Sequence, residues 1–157
     1  MKLLHIETQE KIEAEITEVQ ESDYKLIKKS KQFEFDWLKE KKNHVFKITR
    51  LDDEKENPEI QGLLSIIDEK EEYRIHINWI ENSNDNKSPN KKIDYVAGCF
   101  IAFAIQVSFE NGYNGFTSLV PKTELIDLYV KKYNFSQFGR QLGIQGREAI
   151  NIIKKYQ

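Results

Sequence analysis

The sequence predicts a mixed α/β fold, a central mixed sheet flanked by helices on both faces. Three observations lead there. Apolar and polar residues alternate early in the chain, as in IEAEITEV from Ile12 to Val19, the mark of a half-exposed strand. Two apolar runs, Ile60 to Ile67 and Tyr73 to Ile80, are joined by the acidic turn DEKEE and read as a long antiparallel hairpin. A helix–strand–helix–strand–helix succession then closes the chain, which calls for a mixed sheet covered on both sides.

The elements follow in order. Residues 21–42 begin with a cap at Ser22 or Asp23 and continue with Tyr24, Leu26, Ile27, Phe33, Trp37 and Leu38 among lysines, predicting one or two amphipathic helices. Val45 to Leu51 alternates and predicts a strand, ended by a polar turn containing Pro58. In the second hairpin run, Tyr73, Ile75, Ile77 and Trp79 fall on one face and Arg74, His76 and Asn78 on the other. Residues 81–92, ENSNDNKSPNKK, read as a loop that orders on binding. Val96 to Phe109 is apolar all round, so it predicts a helix buried on several sides. Phe116 to Val120 predicts a short buried strand. Lys122 to Tyr133 predicts a helix with Leu125, Ile126, Leu128 and Tyr129 inward. Gln141 to Ile144 predicts one short strand and Arg147 to Tyr156 a final helix carrying Ile150, Ile152 and Ile153.

Length and composition narrow the function. The 157 residues predict one domain over 1–157, long enough for a core that needs no staples. A single cysteine, Cys99, excludes an intrachain disulfide and fits a reducing compartment. No apolar run approaches the roughly 20 residues of a membrane span, and the first residues lack the core of a signal peptide, so a cytoplasmic protein is expected. Lys and Arg total 24 against 26 Asp and Glu, interleaved rather than striped, which argues against a nucleic-acid partner. His5, His44 and His76 share no metal spacing, and no metal is expected; His76 reads as a surface histidine.

The second half of the chain resembles the GNAT acyltransferases. That family binds the pyrophosphate of acetyl-CoA on a loop reading Gln or Arg, two residues, Gly, one residue, Gly or Ala, at the start of a helix. The matching stretch is Lys92-Ile93-Asp94-Tyr95-Val96-Ala97, leading into GCFIAFAIQVSF. Lys92 keeps the charge, Ala97 the final small residue, and Tyr95 replaces the glycine. Leu128 to Phe135 resembles the family's Tyr-x-x-x-Gly-Phe helix ending, with Asn134 for Gly and Tyr129 one residue further from the Phe. The chain is also similar to a bacterial GNAT-like group in VAGCFIAFA and KTELI. The family usually closes with two strands where one strand and a helix are read here.

The resemblance implies an acetyl-CoA-dependent N-acyltransferase with Lys92, Tyr95, Val96, Ala97, Gly98 and Cys99 as the cofactor cradle. Backbone N–H groups at a helix start suit an anionic pyrophosphate. It implies Tyr129 as the acid that protonates the leaving thiolate and Glu81 as a base on the amine, raised towards neutrality by partial burial. Plainer readings stand beside these: a core tyrosine, a loop-edge acid, and Cys99 as a small buried hydrophobe. The acceptor is an amine of a small molecule or of a protein, and a homodimer is compatible with it. The alternative is a GNAT-like binding or regulatory module without catalysis.

Overall fold

The computed structural model describes residues Met1–Gln157. Nine strands run β1 (Lys2–His5), β2 (Lys11–Glu18), β3 (His44–Arg50), β4 (Ile60–Glu69), β5 (Arg74–Asn82), β6 (Ile93–Asp94), β7 (Thr117–Leu119), β8 (Ser136–Phe138) and β9 (Gln141–Ile144). The helices are α1 (Glu21–Ser30), α2 (Val96–Glu110), α3 (Ile126–Tyr133) and α4 (Gly146–Tyr156). The strands form one sheet in the order β6-β1-β2-β3-β4-β5-β7-β9-β8. Every pairing is antiparallel except β5 with β7, which meet in parallel at Ile75/Thr117, His76/Ser118 and Ile77/Leu119.

Each face of the sheet has its own apolar cluster. On one face, Ile27 of α1 and Trp37 of a short 3-10 turn pack on Val19, Val45 and Leu63. On the other, α2 and α4 pack with Ile48, Leu64, Ile66, Ile75 and Ile77. The expected all-round burial of α2 is met: Cys99, Phe100, Ile101, Ala104 and Ile105 are fully buried. Glycine makes this approach possible at β4, where a Cβ on Gly62 would lie 2.5 Å from Val96 Cγ1.

Helix α1 starts at Gln20 rather than at Ser22 or Asp23. Asp23 reaches back from the first turn to accept the Gln20 N–H at 2.8 Å, and its carboxylate also pairs with Lys47. The predicted helix at 122–133 divides into a 3-10 turn, Thr123–Leu125, and α3. Its inward positions are Ile126, Tyr129 and Tyr133, at the spacing of one helix face, while Leu125 and Leu128 are exposed. On α4 the buried set is Ala149, Ile152 and Tyr156, and Ile150 faces out.

Three strands escaped the sequence reading, β1, β6 and β8, each four residues or fewer. With β8 and β9 present, the chain does close with two strands, and α4 follows them. The 81–92 segment is anchored rather than loose. Asn86 is buried, donates to the Gln61 carbonyl and side chain, and accepts the Ile93 N–H.

Candidate functional site

The site begins with a bulge. Ser65 pairs with Trp79 but Ile66 pairs with Ile77, so Asn78 is an extra residue in β5. The bulge moves Trp79 off the Ile75/Ile77 face predicted for it and onto the face of Glu81, opposite Ser65 and Leu63. One residue inserted into a period of two reverses every later side chain.

Beyond Ile77 and Leu119, β5 runs on to Asn82 while β7 ends, so the two parallel strands part. A cleft of about 750 Å³ opens between them. Its walls include Phe35, Trp79 and Glu81 from the β5 side, Leu119 and Val120 from the β7 side, and Ala97 of α2 and Tyr129 of α3. The structure thus brings three expected site residues, Glu81, Ala97 and Tyr129, to one cavity.

Glu81 has a different setting from that expected of a base. Its carboxylate is buried and accepts from the backbone N–H of Glu34 (2.8 Å) and Phe35 (3.2 Å), from Trp37 Nε1 (2.9 Å) and from Lys87 Nζ (2.8 Å). Burial alone would raise its pKa, but Lys87 and the N–H donors outweigh it and hold the group below the usual glutamate value. The carboxylate straps the segment before Trp37 onto β5.

The helix start at α2 has a backbone that glycine adopts most readily. Tyr95 stands at φ 74°, ψ 4°, in the left-handed region. Its ring turns to Tyr156, edge-on at 5.4 Å. The first helical hydrogen bond runs from Cys99 N–H to the Tyr95 carbonyl, so the N–H groups of Val96, Ala97 and Gly98 lie ahead of it. Gly98 serves packing: a Cβ there would meet the Tyr156 ring at 2.2 Å. Cys99 is buried with Sγ on the Lys2 carbonyl, and burial pushes its thiol up to about 12, which fits a small hydrophobe.

The charge at this helix start differs from expectation. Lys92 points outward and lies 3.7 Å from Asp85. Of the two neighbouring lysines it is Lys91 that lies on the cleft wall, 3.3 Å from Asp94. Asp94 Oδ1 also accepts the Tyr95 N–H at 2.8 Å. Burial raises the Asp94 pKa, yet the Tyr95 N–H and Lys91 prevail and hold it low. A run of two lysines gives no sequence signal for which one turns inward.

Tyr129 is half-buried against Tyr133 and Phe135, at centroid distances of 5.8 and 5.9 Å. Burial raises its phenol above 10.0. Away from the cleft, His76 is half-buried rather than superficial. Its Nδ1 lies 2.8 Å from Ser118 Oγ, and Arg74 joins Ser118, Gln141 and Glu72 in the same cluster. Burial, then Arg74, lowers the His76 pKa, and Ser118 is fully buried, so this cluster ties β5, β7 and β9 together. No group of three or more His, Cys, Asp or Glu side chains is placed to hold a metal ion, and no helix is long and apolar enough to cross a membrane.

No family model matches the chain, and no curated protein does. Solved structures do. A chimera of spermidine N-acetyltransferase SpeG from Vibrio cholerae and hSSAT superposes with a TM-score of 0.62 at 12% identity, over 88% of this chain and 98% of that one. AtaTR bound with AcCoA gives a TM-score of 0.60 at 10% identity, over 88% and 97%. Nourseothricin acetyltransferase gives 0.51 at 12% identity, over 66% of this chain and 65% of that one. At these identities the likeness is one of fold.

Proposed function

We propose, on the premise that this chain has the GNAT acyltransferase fold, that it moves an acetyl group from acetyl-CoA to an amine. The observation that carries this reading is the parting of β5 and β7. It opens a cleft with Tyr129 and the first turn of α2 on its walls, so an acyl carrier and an acid meet there. Two acetyltransferases among the structural neighbours, and a further neighbour of like fold with AcCoA bound, support it.

The residues fit the co-substrate. Tyr95 already adopts the left-handed turn, its ring lies against Tyr156, and the N–H groups of Val96, Ala97 and Gly98 precede the helical bonding. Those three groups, with Lys91 rather than Lys92 on the cleft wall, would hold the pyrophosphate. Acetyl-CoA supplies the thioester carbonyl and the sulfur leaving group. A backbone N–H of β5, near the bulge at Asn78, would polarise that carbonyl. The Tyr129 hydroxyl gives its proton to the departing sulfur as the amine nitrogen forms its bond to the carbonyl carbon. The amine's proton leaves to water, because the Glu81 carboxylate is committed to four donors. Glu81 enters as a positioning residue for the cleft wall.

A second reading is a GNAT-like module that binds without transfer. The Asp94 carboxylate beside the helix start and the committed Glu81 favour it. One pair of measurements tests both: a thermal shift with acetyl-CoA and CoA release with a panel of amines. Both positive supports the enzyme; a shift without release selects the module; neither removes the cofactor site.

A further inference from the structure

We propose that His76 and Ser118 form a clamp at the root of the cleft that closes only while the imidazole is neutral, so that acid loosens the β5–β7 seam and weakens co-substrate binding. The second half of this rests on the acyltransferase reading of the cleft. The seam is short. Its three register pairs are Ile75/Thr117, His76/Ser118 and Ile77/Leu119. The last pair, Ile77 and Leu119, already lines the cleft. The middle pair puts its side chains on the face opposite Ile75 and Ile77, whose own face packs with α2 and α4. There His76 Nδ1 lies 2.8 Å from Ser118 Oγ, and Arg74 donates to the same oxygen.

Proton accounting fixes the charge of the ring. A guanidinium only donates, so Arg74 takes a lone pair of Oγ and leaves the hydroxyl proton to be placed. Ser118 is fully buried, and Oγ makes no hydrogen bond other than those to Arg74 and His76. The hydroxyl therefore donates to Nδ1, which must accept. That network assigns a neutral imidazole with its proton on Nε2. An imidazolium carries a proton on both nitrogens. It would turn an Nδ1–H onto Oγ and strand the buried hydroxyl proton. It would also set a second cation 3.5 Å from Arg74 Nη1.

The surroundings do not offset that cost. The charged groups facing His76 are Arg74 on its own strand, Glu69 at the end of β4 and Glu72 in the 3-10 turn Lys70–Glu72. Glu72 is already paired with Arg74 at 2.8 Å. β7 and β9 present only the neutral Ser118 and Gln141. Burial first and Arg74 second hold the imidazole below its usual 6.5, against Glu69 and Glu72. Once the ring takes a proton, backbone pairing alone joins β5 to β7 at the opening, and the cleft walls lose their fixed spacing.

His76→Asn supplies the test. Its amide oxygen stands in for Nδ1 as an acceptor of the Ser118 hydroxyl, and it does not titrate. Acetyl-CoA affinity and the unliganded melting point are measured for parent and variant from about pH 5 to 8. Titration of the co-substrate, of His5 and of His44 is common to both proteins, so the difference belongs to His76. The parent should lose affinity relative to the variant by up to about tenfold for each pH unit below its His76 titration point. The folded pKa lies below the unfolded 6.5, so the clamp's stability is complete above 6.5 and lost as pH falls through the folded value. His76→Asn should lack that loss. Nitrogen NMR of the parent's imidazole should show the Nε2–H tautomer, a readout that does not depend on the variant folding. An Nδ1–H tautomer, equal acid dependence of melting in both proteins, or an acid loss of stability with acetyl-CoA affinity unmoved would each overturn the proposal. Should acetyl-CoA bind neither protein at any pH, the acyltransferase reading fails separately, and the tautomer and melting profiles still decide the clamp.

Discussion

Trp37 donates its indole N–H to Glu81 across 2.9 Å, joining residues 44 positions apart in the chain. The same carboxylate accepts two backbone N–H groups and Lys87, so one side chain organises a whole wall of the cleft. Glu81→Ala would orphan a buried indole N–H and two backbone donors. It should cost about 2–4 kcal/mol, read as a lower urea midpoint with an unchanged slope. The pH dependence has a definite sign. The folded pKa lies below the ordinary 4.5, so the unfolded chain takes up the proton first as pH falls. The Glu81 contribution is complete above about pH 5 and fades as pH drops through the folded value. Glu81→Gln should lack that acid-side loss; an equal loss in both proteins would move the effect to other groups.

Much of the fold was legible, because its strands and helices announce themselves by period. The 60–67 and 73–80 hairpin and the buried α2 follow from apolar spacing alone. The site was less so. Asn78 bulges without a glycine or proline to signal it, and that single residue decides which way Trp79 points. Glu81 looked like a loop-edge acid because its partners at Glu34, Phe35 and Trp37 are remote in sequence. The short strands β1, β6 and β8 carry too few residues to show alternation. Tyr95 replaces a glycine in the motif, and its accommodation was not legible, because it depends on Gly98 making room for Tyr156, the ring that Tyr95 rests on.

That packing gives the next prediction. Gly98→Ala would put a methyl 2.2 Å from the Tyr156 ring, and both are buried between α2 and α4. The helices must part or the ring must swing, at about 1–3 kcal/mol. Thermal denaturation reads it. Tyr156→Leu in the Gly98→Ala background should recover part of the loss, and no recovery would place the strain elsewhere.

Ala97 tests the anion cradle. It lies in the first turn of α2 and on the cleft wall. A carboxylate there suits the positive end of the helix, so Ala97→Glu should keep the fold. The same charge would oppose a pyrophosphate, and acetyl-CoA binding should weaken by roughly tenfold or more. The readout is the thermal shift with acetyl-CoA against the unliganded melting point. An undiminished shift in the variant would rule this helix start out.

Tyr129 tests the chemistry. Its helix follows β7, the shorter of the two parting strands, after the 3-10 turn Thr123–Leu125, and its face is set by the spacing of Ile126, Tyr129 and Tyr133. Tyr129→Phe removes one hydroxyl and keeps the ring that packs on Tyr133 and Phe135, so stability should hardly move. Loss of a positioned acid should lower kcat by about 10²-fold. Acetyl-CoA affinity should stay near the parent value, because the hydroxyl acts as the thiolate departs rather than on binding. The pH profile adds a second constraint. Burial lifts the phenol above 10.0, so Tyr129 keeps its proton through neutral and mildly alkaline pH. Turnover by the parent should therefore rise with pH as the amine loses its proton, with no fall from this acid until above 10.0. An active parent matched by an equally active Tyr129→Phe variant would take the hydroxyl out of the mechanism and leave solvent as the proton source. A kcat loss accompanied by an equal loss of acetyl-CoA affinity would instead make Tyr129 a wall of the binding site.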